Sequence, residues 1–185
     1  MPRSRLATRL KVIEGAYELF YKQGFARVSM DAIAASAGIT KRTLYAHYDS
    51  KDALLADVLE HNSALALERI ENWAHKLDSN PDSAVEKLFS ELALWSLSRR
   101  WSGAGFTRLA MELADLPGHP ARNIAKRHKA AVEARLASAF GSAVAGAEVM
   151  LLLEGAMTLL LVHRDRRYGE IAAAAANALI RRHRV

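Results

Sequence analysis

Within the seven residues KRTLYAH, from Lys41 to His47, the chain places an ammonium, a guanidinium, a threonine hydroxyl, a phenol and an imidazole. Such a set suits one chemistry above others: donating hydrogen bonds to anions and to base edges. Leu44 and Tyr48 lie four residues apart and form the inward stripe of a short helix. At about 100° per residue, the opposite side carries Arg42 and Ala46, flanked by Thr43 and Tyr45. That face fits a major groove. Arg42 can read a guanine edge through paired hydrogen bonds, and Ala46 is small enough for close approach or for a thymine methyl. Lys41, Thr43, Tyr45 and His47 point donors toward the flanking phosphates, which positions a helix without specifying sequence.

The elements that must hold this helix are legible around it. MDAIAASA, from Met30, reads as a short amphipathic helix with Met30, Ile33, Ala34 and Ala37 on one face, ended at Gly38, where a tight turn takes positive φ without steric cost. Thr40 is placed to cap the second helix and Ser29 the first. Ala34, Gly38 and Leu44 have the spacing of a helix-turn-helix: a small residue at the crossing, a glycine in the turn, an aliphatic knob on the second helix. Glycine-turn hairpins with a basic outer face also occur as plain solvated structure in all-helical proteins.

The run GITKRTLYAHYDSKDALL resembles the recognition helix and the start of the fourth helix of TetR-family transcriptional regulators. The preceding GFARVSMDAIAASA resembles that family's second helix and its approach. The resemblance covers the first quarter to third of the chain. It implies DNA contact by Ser29, Thr40, Lys41, Arg42, Thr43, Tyr45, His47 and Lys51. Tyr48 stands where the family often has phenylalanine and should fill the core in the same way.

The whole composition agrees with a folded nucleic-acid binder. Of 185 residues 51% are hydrophobic and the formal net charge is +6. Residues 1–50 hold eight Lys or Arg against four acids, a balance of +4 that leaves +2 for the remaining 135. Positive charge is thus concentrated where a phosphate-binding module needs it. There are no cysteines, which removes disulfides, thiolate metal sites and cysteine nucleophiles together. The basic amino terminus has no apolar run of signal-peptide type. The longest apolar stretch, Val149 to Val162, is interrupted by Glu154 and reads as too short for a bilayer. A cytoplasmic protein with no membrane partner is the expectation.

Nothing alternates with period two for long enough to make a sheet, and an all-α fold of about nine helices is predicted. Leu6, Leu10, Ile13, Tyr17 and Phe20 define the stripe of helix 1, whose start carries Arg3, Arg5 and Arg9 as a basic arm for DNA or as a solvated terminus. After Asp49 and Ser50 a helix of about 25 residues, roughly 40 Å long, reaches the Ser79-Asn80-Pro81 break with Leu77 on its last turn. Helices 5, 6 and 7 follow: Pro81 to Arg99 and Arg100, Phe106 to Ala114, and Ala121 to Phe140. Helix 8, about Ala145 to His163, is apolar around most of its circumference, and helix 9, about Tyr168 to Arg182, contains the small-residue run Ala172 to Ala176. Two such helices from each of two subunits suit a four-helix homodimer interface. The expected organisation is therefore a three-helix DNA-binding domain, residues 1–50, joined by the long helix 4 to a helical ligand-binding and dimerisation domain, residues 51–185.

A small-molecule effector would need a pocket in that second domain. Trp73, Trp95, Trp101, Phe106, Met111, Met150 and Met157 are candidates for its wall, with Glu154 or His163 as the polar handle; each is equally a core residue by type. Arg164, Arg166 and Arg167 offer Glu154 an ordinary salt bridge instead. An enzyme is the rival class. The chain lacks HExxH, GxSxG and a phosphate loop, and its seven histidines are scattered without a carboxylate spaced as a dyad, so no catalytic residue, cofactor or metal is expected. A ligand-independent architectural DNA-binding dimer is the other alternative. The combined expectation is a homodimeric regulator on a roughly palindromic double-stranded operator, released by a small molecule, with repression implied by most of the family.

Overall fold

The computed structural model of the chain describes residues 2–76, 81–98, 101 and 103–183. The predicted Ser79-Asn80 break, Leu77, and the helix 5 terminus at Arg99 and Arg100 lie outside the described residues, as does the side chain of Arg3. Among the described residues the chain is all helical, in the order α1 (Pro2–Gln23), α2 (Met30–Ser36), α3 (Lys41–Tyr45), α4 (Lys51–Ala74), α5 (Pro81–Ser96), α6 (Gly105–Glu112), α7 (Pro120–Phe140), α8 (Ala143–His163) and α9 (Arg167–His183).

Packing divides the chain differently from the expected boundary at residue 50. One compact unit comprises residues 1–64 together with 105–126, and the other 65–104 with 127–185. The helices α4 and α7 each contribute to both. In the first unit Val12, Ile13, Ala16, Ile33, Leu44, Leu54, Leu55 and Val58 are buried, and Leu109, Leu113, Ala121 and Ile124 join the same cluster from the later segment. That segment completes a core which the first 50 residues do not close on their own. The stripe of α1 is correspondingly shifted: Val12 and Ala16 replace Leu10 and Leu6, and Leu6 is 56% exposed.

The second unit packs α5, α8 and α9 around Val85, Phe89, Leu136, Val149, Leu160, Ala176 and Ile180. Small residues on α9, Ala172, Ala173 and Ala176, are buried there and let the helix approach its neighbours closely. Ser142 caps α8 by accepting from the Ala145 amide, so the helix starts two residues before its expected beginning. With those residues it spans 21 positions and, by length and composition, is long and apolar enough to cross a bilayer, which corrects the reading of that stretch as too short. Seven of its residues are nevertheless buried, five of them in the unit's own core cluster, as in a core helix. Arg164 closes α8 in the left-handed region, φ 54°, where its guanidinium donates to the carbonyls of Ser96 and Trp101 at 2.8 and 3.4 Å. Those two bonds account for a conformation that a non-glycine residue seldom adopts.

Candidate nucleic-acid interface

The helices α2 and α3 form the helix-turn-helix. Ser29 accepts from the Ala32 amide at 3.1 Å and Thr40 from the Thr43 amide at 3.1 Å, so both short helices begin on a side-chain cap. Gly38 turns between them at φ 65°. Leu44 is fully buried beneath α3 among residues of α1, α2 and α4, which fixes which side of this one-turn helix faces solvent.

On that side Arg42 is exposed, and among the described residues its guanidinium has no side-chain hydrogen bond or ion pair. Tyr45 is 45% exposed beside it, and Ala46 is exposed at the end of the helix. Lys41 is held by Asp31 of α2 at 2.8 Å, and that hydrogen bond, with the attached charge, raises its pKa above the usual lysine value. The Thr40 and Thr43 hydroxyls meet each other at 2.8 Å. Lys41, Arg42, Thr43 and Tyr45 are therefore brought together with Thr40 on one surface, where two of them are already oriented by intramolecular contacts.

His47 sits half-buried on an open cleft of about 460 Å³ lined also by Arg5, Leu6, Arg9, Tyr48 and Asp57. At its floor is a network that sequence reasoning missed. Arg9 Nε donates to Asp57 at 2.8 Å, with a second bond from its terminal nitrogen, and the Tyr48 hydroxyl donates to the same carboxylate at 2.5 Å. Burial works to raise the Asp57 pKa, but the Arg9 and Tyr48 hydrogen bonds and the guanidinium charge outweigh it and hold the carboxyl below its ordinary range. Burial first, then the bond to Asp57, pushes the Tyr48 phenol upward. The tyrosine does fill the core, as expected from its phenylalanine-like place, but its hydroxyl also ties the end of α3 to α1 and α4. Arg9, one of the three arm arginines, is committed to this network.

Lys51 differs from the other expected contacts. Its ammonium donates to the carbonyls of Phe25 and Val28 at 3.1 Å each and of Ala26 at 3.4 Å, and lies 4.3 Å from the centre of the Phe25 ring. All three donors are directed at the loop between α1 and α2, so its role in this structure is to bind that loop. Only its tertiary position reveals this, since Phe25 to Val28 precede it by more than twenty residues.

The proposed pocket residues are divided between the two units. Phe106 and Met111 belong to the first unit, where Met111 is 69% exposed; the remainder belong to the second. There Trp73 donates to the Ala84 carbonyl at 2.7 Å and meets Phe140 edge-on, while Trp101, Met150 and Met157 lie in or against the packed cluster. Trp95 sits largely at the surface with its ring edge-on to Trp101. Glu154 is paired with Lys129 of α7, while Arg164 is engaged with carbonyls and Arg167 with Asp165. His163 stacks on Tyr168. Among the described residues no group of three potential metal ligands occurs.

Residues 12–58, which span α1 to the first part of α4, match the model of the bacterial regulatory proteins of the tetR family. By that segment the chain is similar to the TetR family. The regulator TtgR of Pseudomonas putida is 34% identical over 99 residues, 50% of this chain and 46% of TtgR. The chain thus spans about half or less of the length of the curated relatives it matches. The fold likeness extends further: the TetR-family regulator SCO4454 of Streptomyces coelicolor superposes with a TM-score of 0.81 at 22% identity, covering 95% of each chain. A complex of SmeT with triclosan superposes with a TM-score of 0.70 at 19% identity, over 93% of this chain and 90% of SmeT. These likenesses extend the TetR fold through α9, beyond the matched head.

Proposed function

We propose that this TetR-family chain is a homodimeric transcriptional regulator whose two heads read the half-sites of a roughly palindromic operator. The observation that carries the reading is the solvent-facing Arg42 and Tyr45 on a helix locked from behind by fully buried Leu44, inside the segment that matches the family. Direct readout falls to Arg42; Ser29, Thr40, Lys41, Thr43, Tyr45 and His47 position the helix on the backbone. Support for a dimer comes from α8, which leaves Val144, Leu151, Leu159 and Val162 at the surface, and from Ile171 on α9. Two copies of that apolar surface would cover each other in the symmetric manner of a twofold interface.

Bound at a promoter, such a dimer obstructs transcription. A small molecule would release it by binding more tightly to a state whose heads no longer match the half-site spacing. The triclosan complex of SmeT, a protein of the same fold, supports a ligand in this chain's second unit. The packed surroundings of Trp73, Trp101 and Met150 favour, in contrast, a ligand-independent DNA-binding dimer as the second reading. Selection of bound sequences from a random duplex pool near physiological salt tests the first claim: an enriched inverted repeat is expected. Binding without enrichment that vanishes as salt rises would refute it.

A further inference from the structure

The loop between α1 and α2 is held by opposite charges from two directions. Lys51 gathers the carbonyls of Phe25, Ala26 and Val28, as described above. The backbone amides of the same loop point to a carboxylate: Glu112, the last residue of α6, accepts from the Phe25 amide at 3.0 Å and the Ala26 amide at 2.7 Å. Two successive amides converging on one anion form a nest, and its occupant here comes from the chain itself. One turn earlier on α6, Arg108 donates to the Tyr21 carbonyl at 2.8 Å at the end of α1. Leu109 and Leu113, on either side, are buried in the first unit's core and hold α6 in place.

We infer that Glu112 is a positioning residue for DNA binding, acting through the Phe25–Ala26 peptide to set where α2 begins. Only Arg27 and buried Val28 separate that peptide from Ser29, the cap of α2, and α3 packs directly against α2. Charge-assisted bonds to two adjacent amides fix the orientation of the peptide plane as well as its place. The helix-turn-helix is therefore aligned by a residue that lies some fifty positions beyond the family-matched segment and itself touches no DNA. This inference rests on the regulator reading given above.

The test measures affinity for the selected operator duplex by fluorescence anisotropy on full-length Glu112→Ala and the isosteric Glu112→Gln, each checked for folding by circular dichroism at the assay temperature. Glu112→Ala is expected to bind about tenfold more weakly, and Glu112→Gln, which keeps one acceptor, by an intermediate factor. Base preference and the slope of affinity against salt stay as in the unsubstituted protein, because no base or phosphate contact is removed. Hydrogen exchange at the Phe25 and Ala26 amides accelerates in step with the loss. If either variant, folded at the assay temperature, binds within a factor of two of the unsubstituted protein, the inference is overturned while the regulator reading stands. If the unsubstituted protein selects no sequence, the regulator reading fails and takes the inference with it.

Discussion

At the residue scale, the proposed reading sets Arg42, exposed on α3, apart from Lys51, whose ammonium is bound to the loop between α1 and α2. On that reading Arg42 faces a base, and Arg42→Ala should relax preference at one position per half-site at a cost of about 1–3 kcal/mol per lost guanine contact. Repeating the sequence selection with the variant checks it; equal weakening on all sequences would remove Arg42 as a reader. His128, buried in α7, makes a pH prediction. Burial first, with Lys129 beside it, lowers its pKa to about 4 despite the opposing charge of Glu154. The folded protein therefore keeps His128 neutral while the unfolded chain takes up a proton near pH 6.5. The stability tied to it is complete above that pH and lost as pH falls toward about 4, to an extent on the order of 2 kcal/mol. Urea denaturation at pH 7 and pH 5 should show a drop that His128→Leu largely abolishes.

At the element scale, α8 holds the sharpest expectation. Leu151 is 73% exposed, and Gly155, four positions on, has open space where a Cβ would lie. A mid-helix glycine costs about 1 kcal/mol relative to alanine, a cost that close approach by a partner helix would explain. Leu151→Glu and Gly155→Leu should each convert a dimer to a monomer in sedimentation velocity without loss of helical circular dichroism. A dimer unaffected by both would place the interface elsewhere. The same element shows why helix patterns mislead about partners: Glu154 interrupts an apolar helix in the sequence, and its neighbour proved to be Lys129, on a helix twenty-five residues earlier.

At the scale of the whole molecule, the first unit needs its second segment. A fragment of residues 1–64 would expose the surface that Leu109, Leu113, Ala121 and Ile124 cover. It should unfold in urea with a lower midpoint and a broader transition than the head does within the full chain. A sharp transition at the same midpoint would show that the head is autonomous.

The sequence by itself determined the local geometry of this protein. The helix-turn-helix, its caps at Ser29 and Thr40, the turn at Gly38, the inward Leu44 and the outward Arg42 all follow from periodicities and backbone preferences that act within a few residues. The nine helices of the described residues were legible for the same reason, with ends displaced by a few residues. Tertiary structure alone decided the partners of charged and polar groups. Lys51 has the place of a DNA contact in the resemblance and here binds backbone carbonyls; Tyr48 has the place of a core phenylalanine and also bonds Asp57. Glu112 gave no local sign of its role, because the amides it accepts from lie 86 and 87 residues away. A burial stripe repeats along a helix and so leaves a pattern, whereas an ion pair or a nest needs only one residue at each end and leaves none.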